Sequence, residues 1–88
     1  MRIRFSKHAT EKLDESVCKT LGISEDLIKK VLAKPEVIDS SDFPLLMAIG
    51  KLNKDLSLCI VYKFVETNIK VITFFPAKRG RYEGKILS

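Results

Sequence analysis

The chain has 88 residues, an apolar share of 45% and a net charge of +5, enough for one small core and too little for two. No apolar run approaches the roughly 20 residues that span a bilayer. The opening Met1-Arg2-Ile3-Arg4-Phe5 also lacks the apolar stretch and small-residue cleavage site of a secretion signal. Residues 1–88 are therefore expected to form a single cytoplasmic domain with no membrane association. Basicity of this size favours polyanions as partners.

In chain order, Arg2-Ile3-Arg4-Phe5 alternates polar and apolar, as a half-buried strand does. Ser6 is placed to cap a helix, along which Ala9, Leu13, Val17 and Leu21 recur at a spacing that makes one apolar stripe. Gly22 suits the left-handed end of that helix. Ser24 caps a second helix, with Glu25 and Asp26 at the positive end of its dipole. Leu27, Ile28, Val31 and Leu32 form its apolar face, and Pro35 stops it.

Beyond Pro35 the period shortens. Glu36 to Ser41 reads as a short strand or an irregular link, and a strand follows Pro44. Asn53-Lys54-Asp55 marks a hairpin. Leu56 to Val65 is the clearest strand, with Leu56, Leu58, Ile60, Tyr62 and Phe64 on one face. Glu66-Thr67-Asn68 is the next turn. Ile69 to Phe75 then alternates Ile69, Val71, Thr73 and Phe75 against Lys70, Ile72 and Phe74, until Pro76 ends it.

This order predicts an α+β domain, with two N-terminal helices packed on one face of a three- to four-stranded antiparallel sheet. The other face, carrying Cys59, Val61, Val65, Ile72 and Phe74, is left partly apolar, to be covered by the chain's own tail, by a second copy or by a partner. Cys18 and Cys59 belong to no CxxC pair. Two reduced, buried thiols are the plain expectation, with a disulfide or a reactive thiol as alternatives.

The cations gather at the two ends. Arg2, Arg4, Lys7 and Lys12 open the chain; Lys78, Arg79, Arg81 and Lys85 close it, against a single acid, Glu83, after Pro76. These terminal cations are the candidate nucleic-acid contacts. The plain counterparts are a solvated terminus over Lys78 to Lys85, a surface His8 on the first helical turn, a Tyr82 packed back on the sheet, and edge-protecting or solvent-facing Lys63 and Lys70 on strands. One histidine and two scattered cysteines make no metal-ligand set, and there is no phosphate-binding or dinucleotide glycine pattern. No cofactor or metal is expected.

Several stretches together resemble the RelE/ParE superfamily of toxins, nearest to BrnT-like toxins and related short domains that open with a His-Ala helix. They are Phe5-Ser6-Lys7-His8-Ala9, Gly22-Ile23-Ser24, the helix stopped by Pro35, Cys59-Ile60-Val61-Tyr62, Val71-Ile72-Thr73 and Arg79-Gly80-Arg81-Tyr82. The resemblance implies a RelE-like sheet-and-helix fold and, for many members, messenger-RNA cleavage, ribosome-associated or free, under the control of an antitoxin-like protein. ParE-type members act on DNA gyrase instead. Glu11-Lys12 departs from the Glu-Arg often found there, and lysine cannot fork onto a phosphate as arginine does.

If the substrate is RNA, metal-independent cleavage needs a base, a phosphate clamp and an acid. The candidates are His8 as base, Arg79 and Arg81 as clamp, and Tyr82 as proton donor or stacking platform. The competing reading is a non-catalytic interaction module of the same fold, working through its second sheet face as a homodimer or against a protein partner.

Overall fold

Ser6 caps as its position predicts. In the computed structural model, which describes residues 2–80, its hydroxyl accepts the Ala9 N–H at 3.0 Å and donates to the Ile72 carbonyl at 2.7 Å. One side chain thus starts helix α1 (Lys7–Leu13) and ties it to the sheet. Arg81, Tyr82 and Lys85 lie outside the described residues.

The single N-terminal helix expected from the sequence is two. Asp14 closes α1 and the backbone becomes extended at Glu15 before α2 (Ser16–Leu21) begins. Aspartate competes with the helix for backbone hydrogen bonds and favours such ends. The break re-phases the chain, so that Cys18 is buried and Val17, expected in the stripe, is 49% exposed. Gly22 takes the left-handed conformation at φ 74°, and the Ile23 N–H returns to the Cys18 carbonyl. Ser24 caps α3 (Glu25–Ala33) by accepting the Leu27 N–H, and α3 buries Ile28 and Val31.

The strands are β1 (Ile3–Phe5), β2 (Val37–Asp39), β3 (Leu46–Lys51), β4 (Leu56–Val65) and β5 (Asn68–Lys78). They form one five-stranded sheet in the order β1-β5-β4-β3-β2. The fold is α+β as expected, but with three helices among the described residues, and the sheet is mixed: β1 lies parallel to β5, and the other pairs are antiparallel. Three-residue strands such as β1 and β2 carry too little alternation to reveal their pairing; their place is set by what they pack against. Asn53 shapes the β3–β4 turn, its side-chain oxygen accepting from the Asp55 and Leu56 amides.

A bulge in the β4–β5 ladder at Val61/Tyr62 changes which side chains face the helices. Tyr62 pairs with Val71 and Val61 with Thr73, leaving Ile72 as the extra residue. Beyond it the phase of β5 inverts. Phe74, expected on the open face, is fully buried among the helix-side residues, while Phe75 packs on the other side with Ile49, Cys59 and Ala77. The strand also runs through Pro76 to Lys78. Among the described residues no strand pairs with the outer edge of β5 beyond Val71, and such an edge tolerates a residue without an N–H.

The main core therefore joins Ala9, Cys18, Ile28 and Val31 from the helices to Leu58, Ile60, Tyr62, Val71 and Phe74 from the sheet. A smaller cluster of Ile49, Cys59 and Ala77 lies on the opposite face, flanked by Val37, Met47 and Phe75. Cys18 and Cys59 are buried, as the plain reading expects, and lie in different clusters on opposite faces of the sheet. Burial, with Glu15 adding to it and Lys12 opposing, pushes the Cys18 thiol up, away from the reactive thiolate.

At Gly50 α3 comes close against the sheet. A Cβ there would lie 2.8 Å and 3.0 Å from the two methyl carbons of Val31, a β-branched side chain with one favoured rotamer in a helix. Overpacking of this kind costs about 1–3 kcal/mol, against a gain of about 0.4–1 kcal/mol from a stiffer unfolded chain. Gly50→Ala is expected to lower the urea midpoint, and adding Val31→Ala to reduce the Gly50→Ala penalty when each pair is compared at fixed residue 31. Equal Gly50→Ala effects in both backgrounds would show that the contact is not the cause.

Candidate nucleic-acid interface

Strand pairing builds a charged corner on the face of the sheet away from the helices. The β4–β5 hairpin turns through Glu66 and Thr67, with Glu66 at φ 60° and Val65 opposite Asn68. Two residues up each arm, Lys63 stands opposite Lys70; on the other side of Lys70, β1 places Arg4. Neighbouring strands are about 4.8 Å apart, so three cations occupy adjacent positions in one row across three strands. Like charges directly opposite one another destabilise a sheet, and this row does so twice.

The row borders a concavity of about 670 Å³ at the β1, β5 and β4 corner, whose lining includes Arg4, Ser6, Lys7, Lys63, Glu66 and Lys70. Four cations against one carboxylate leave a net +3 in that space. None of the four is in an ion pair among the described residues. Lys63 is half-buried; Arg4, Lys7 and Lys70 are exposed.

The other candidate residues are dispersed. Lys12 donates to the Phe74 carbonyl and stands 5.3 Å from the centre of the Phe74 ring, pinning α1 to β5. Arg2 immediately precedes β1, its amide 3.4 Å from the Asn68 side-chain oxygen. His8 is exposed on the first turn of α1. Lys78 and Arg79 sit at the far end of β5. The Arg79 guanidinium contacts both Glu36 carboxylate oxygens at 3.1 Å and the Ser57 hydroxyl at 3.2 Å, while its amide donates to the Asp55 carbonyl. This ties the end of β5 to the residue before β2. The Ser6 amide, two residues before His8, is held by the Val71 carbonyl; Arg79 is eight residues further on, roughly 25 Å along a strand. His8 and Arg79 are not brought together. Arg81, Tyr82 and Lys85 are outside the described residues, so their part in such a site has no geometry here.

The corner thus gathers Arg4 and Lys7 from the predicted contacts and adds Lys63 and Lys70, which read as solvent-facing lysines in the sequence. Hairpin arithmetic could have paired those two: with a two-residue turn at Glu66-Thr67, positions 63 and 70 are equidistant from it. The three-residue turn expected from Glu66-Thr67-Asn68 slips the register by one. Among the described residues no group of three or more potential ligands could hold a metal ion, and no helix is long and apolar enough to cross a membrane.

No curated protein and no solved structure shows significant similarity to this chain. Residues 5–76, from the last residue of β1 to near the end of β5, match the profile of a family described as a domain of unknown function, DUF4258. That span takes in all three helices, the β4–β5 hairpin and the Lys63 and Lys70 arms of the charged row, and the chain belongs to this family.

Proposed function

We propose that the protein is a toxin-type domain, of the kind its sequence resembles, that binds RNA through the cationic corner of its sheet. The observation that carries this reading is the row Arg4, Lys70 and Lys63, three unpaired like charges on adjacent strands beside a concavity that Lys7 also lines. A sheet gains nothing from this arrangement by itself; a phosphate ligand turns the repulsion into attraction and releases counterions. Binding is the activity this geometry supports. Cleavage by the sequence-derived set of His8, Arg79, Arg81 and Tyr82 lacks its central requirement among the described residues, since Arg79 is paired with Glu36 far from His8.

Binding of the purified protein to generic single-stranded RNA is expected to weaken steeply with salt. The slope of log K against log salt should be about −2 to −3, at about −0.7 for each of three to four phosphates. A flat salt response would reject the reading. The same RNA incubated with chelator tests metal-independent cleavage, which predicts fragments ending in a cyclic phosphate.

A second reading has its own observation. Ile38 on edge strand β2 and Phe43 and Leu45 in the following loop are exposed apolar residues. This edge suits an interaction module that pairs with a protein strand or a second copy. Salt-insensitive association with no affinity for RNA is the outcome that would favour it.

A further inference from the structure

Resting on the RNA-binding reading, we propose that the cationic corner receives a terminal polyphosphate, the 5′ end of an RNA or a nucleotide, and not the middle of a phosphodiester chain. The charge there is a cluster, not a track. On the same sheet face the cross-strand pair next to Lys63 and Lys70 is Val61 with Thr73, and the one after that is Cys59 with Phe75. Beyond these lies the apolar cluster of Ile49 and Ala77. In the other direction the hairpin ends at Glu66. A chain of diesters running along β4 and β5 would meet cations at one point, apolar surface on one side and the Glu66 turn on the other.

A phosphate end is matched to such a point. A terminal phosphate carries about −1.5 to −2 at neutral pH, and further phosphates in a short chain add charge within the same few ångströms. The net +3 of the concavity is thus balanced by one compact group. The size agrees: about 670 Å³ lies within the range of pockets that enclose a small ligand, and is far too small to admit a duplex. The side-chain amide of Asn68, also on the lining, supplies a neutral N–H donor beside the cations.

The test compares one short RNA, labelled at its 3′ end, bearing a 5′-hydroxyl, a 5′-monophosphate or a 5′-triphosphate, by fluorescence anisotropy with the full chain. The expected order is triphosphate, then monophosphate, then hydroxyl, with at least about tenfold between the extremes. Lys70→Ala and Lys63→Gln should each reduce that ratio. Unlabelled tripolyphosphate and a nucleoside triphosphate then compete for the site. Equal competition assigns recognition to the phosphate chain; a clear advantage for the nucleotide adds the base and sugar to what is read; both support the proposal. Equal affinity for the three RNAs, with no displacement by tripolyphosphate, overturns it and leaves RNA binding standing. No affinity for any of the RNAs overturns the binding reading itself.

Discussion

Lys70→Glu is expected to weaken RNA binding by at least about tenfold, about 1.4 kcal/mol, and at the same time to stabilise the fold. Lys70 stands between Arg4 and Lys63 in the row. A carboxylate at that position converts two repulsive cross-strand neighbours into two attractive ones, each worth about 0.2–1 kcal/mol. It also reduces the concavity from a net +3 to +1, removing the field that would hold a phosphate. A gain of 1 kcal/mol corresponds to a rise of roughly 4–8 °C in Tm for a domain of this size. The opposite signs distinguish a working site from a solvated surface. Lys29→Glu on the exposed side of α3 makes the same change in charge and is expected to leave RNA affinity within about twofold. Equal loss of affinity in the two variants would mean that only net charge matters and that the corner is not the binding site. A sheet that sacrifices stability at one corner for binding follows the usual trade-off between stability and function.

The second large effect is on the core. Phe74→Ala is expected to destabilise the protein by about 3–5 kcal/mol, a third or more of the stability of a domain this small. The Phe74 ring is 0% exposed, Ile60 is its cross-strand partner and the Lys12 ammonium stands near its face. Phe64, on the same face but 51% exposed near the hairpin tip, serves as the comparison; its truncation should remove much less. Phe75→Ala is the more pointed comparison, because the bulge alone decides which of the two neighbouring phenylalanines enters the main core. An unbulged ladder puts Phe75 under the helices and leaves Phe74 on the smaller cluster, and would reverse the two penalties. Urea unfolding of the three variants measures this; a greater loss for Phe75→Ala than for Phe74→Ala would contradict the phase of β5 described above.

Much of the fold was legible because its causes are local. Ser6, Gly22, Ser24 and Asn53 each act on backbone within a few residues, and each does what its type and position predict. The span of β4 follows from strict alternation between two turns. The break at Asp14 was obscured because Ala9, Leu13, Val17 and Leu21 continue the helical period across it; the stripe looked unbroken although docking on the sheet favoured a turn.

What the amino-acid sequence determined by itself was the α+β class, the caps at Ser6, Gly22 and Ser24, the places of the turns and the main strands, all governed by short-range hydrogen bonding and by the periods of 3.6 and 2. Tertiary structure decided the rest. It added β1 in parallel beside β5 and so brought Arg4 to Lys70 across 66 positions of chain. It placed Arg79 on Glu36 instead of near His8, and inserted Ile72 as a bulge that exchanged Phe74 and Phe75. These outcomes depend on which surfaces compete for burial once the helices and sheet meet. A charge's neighbours across strands are set by register, and register is settled by the packing of the whole.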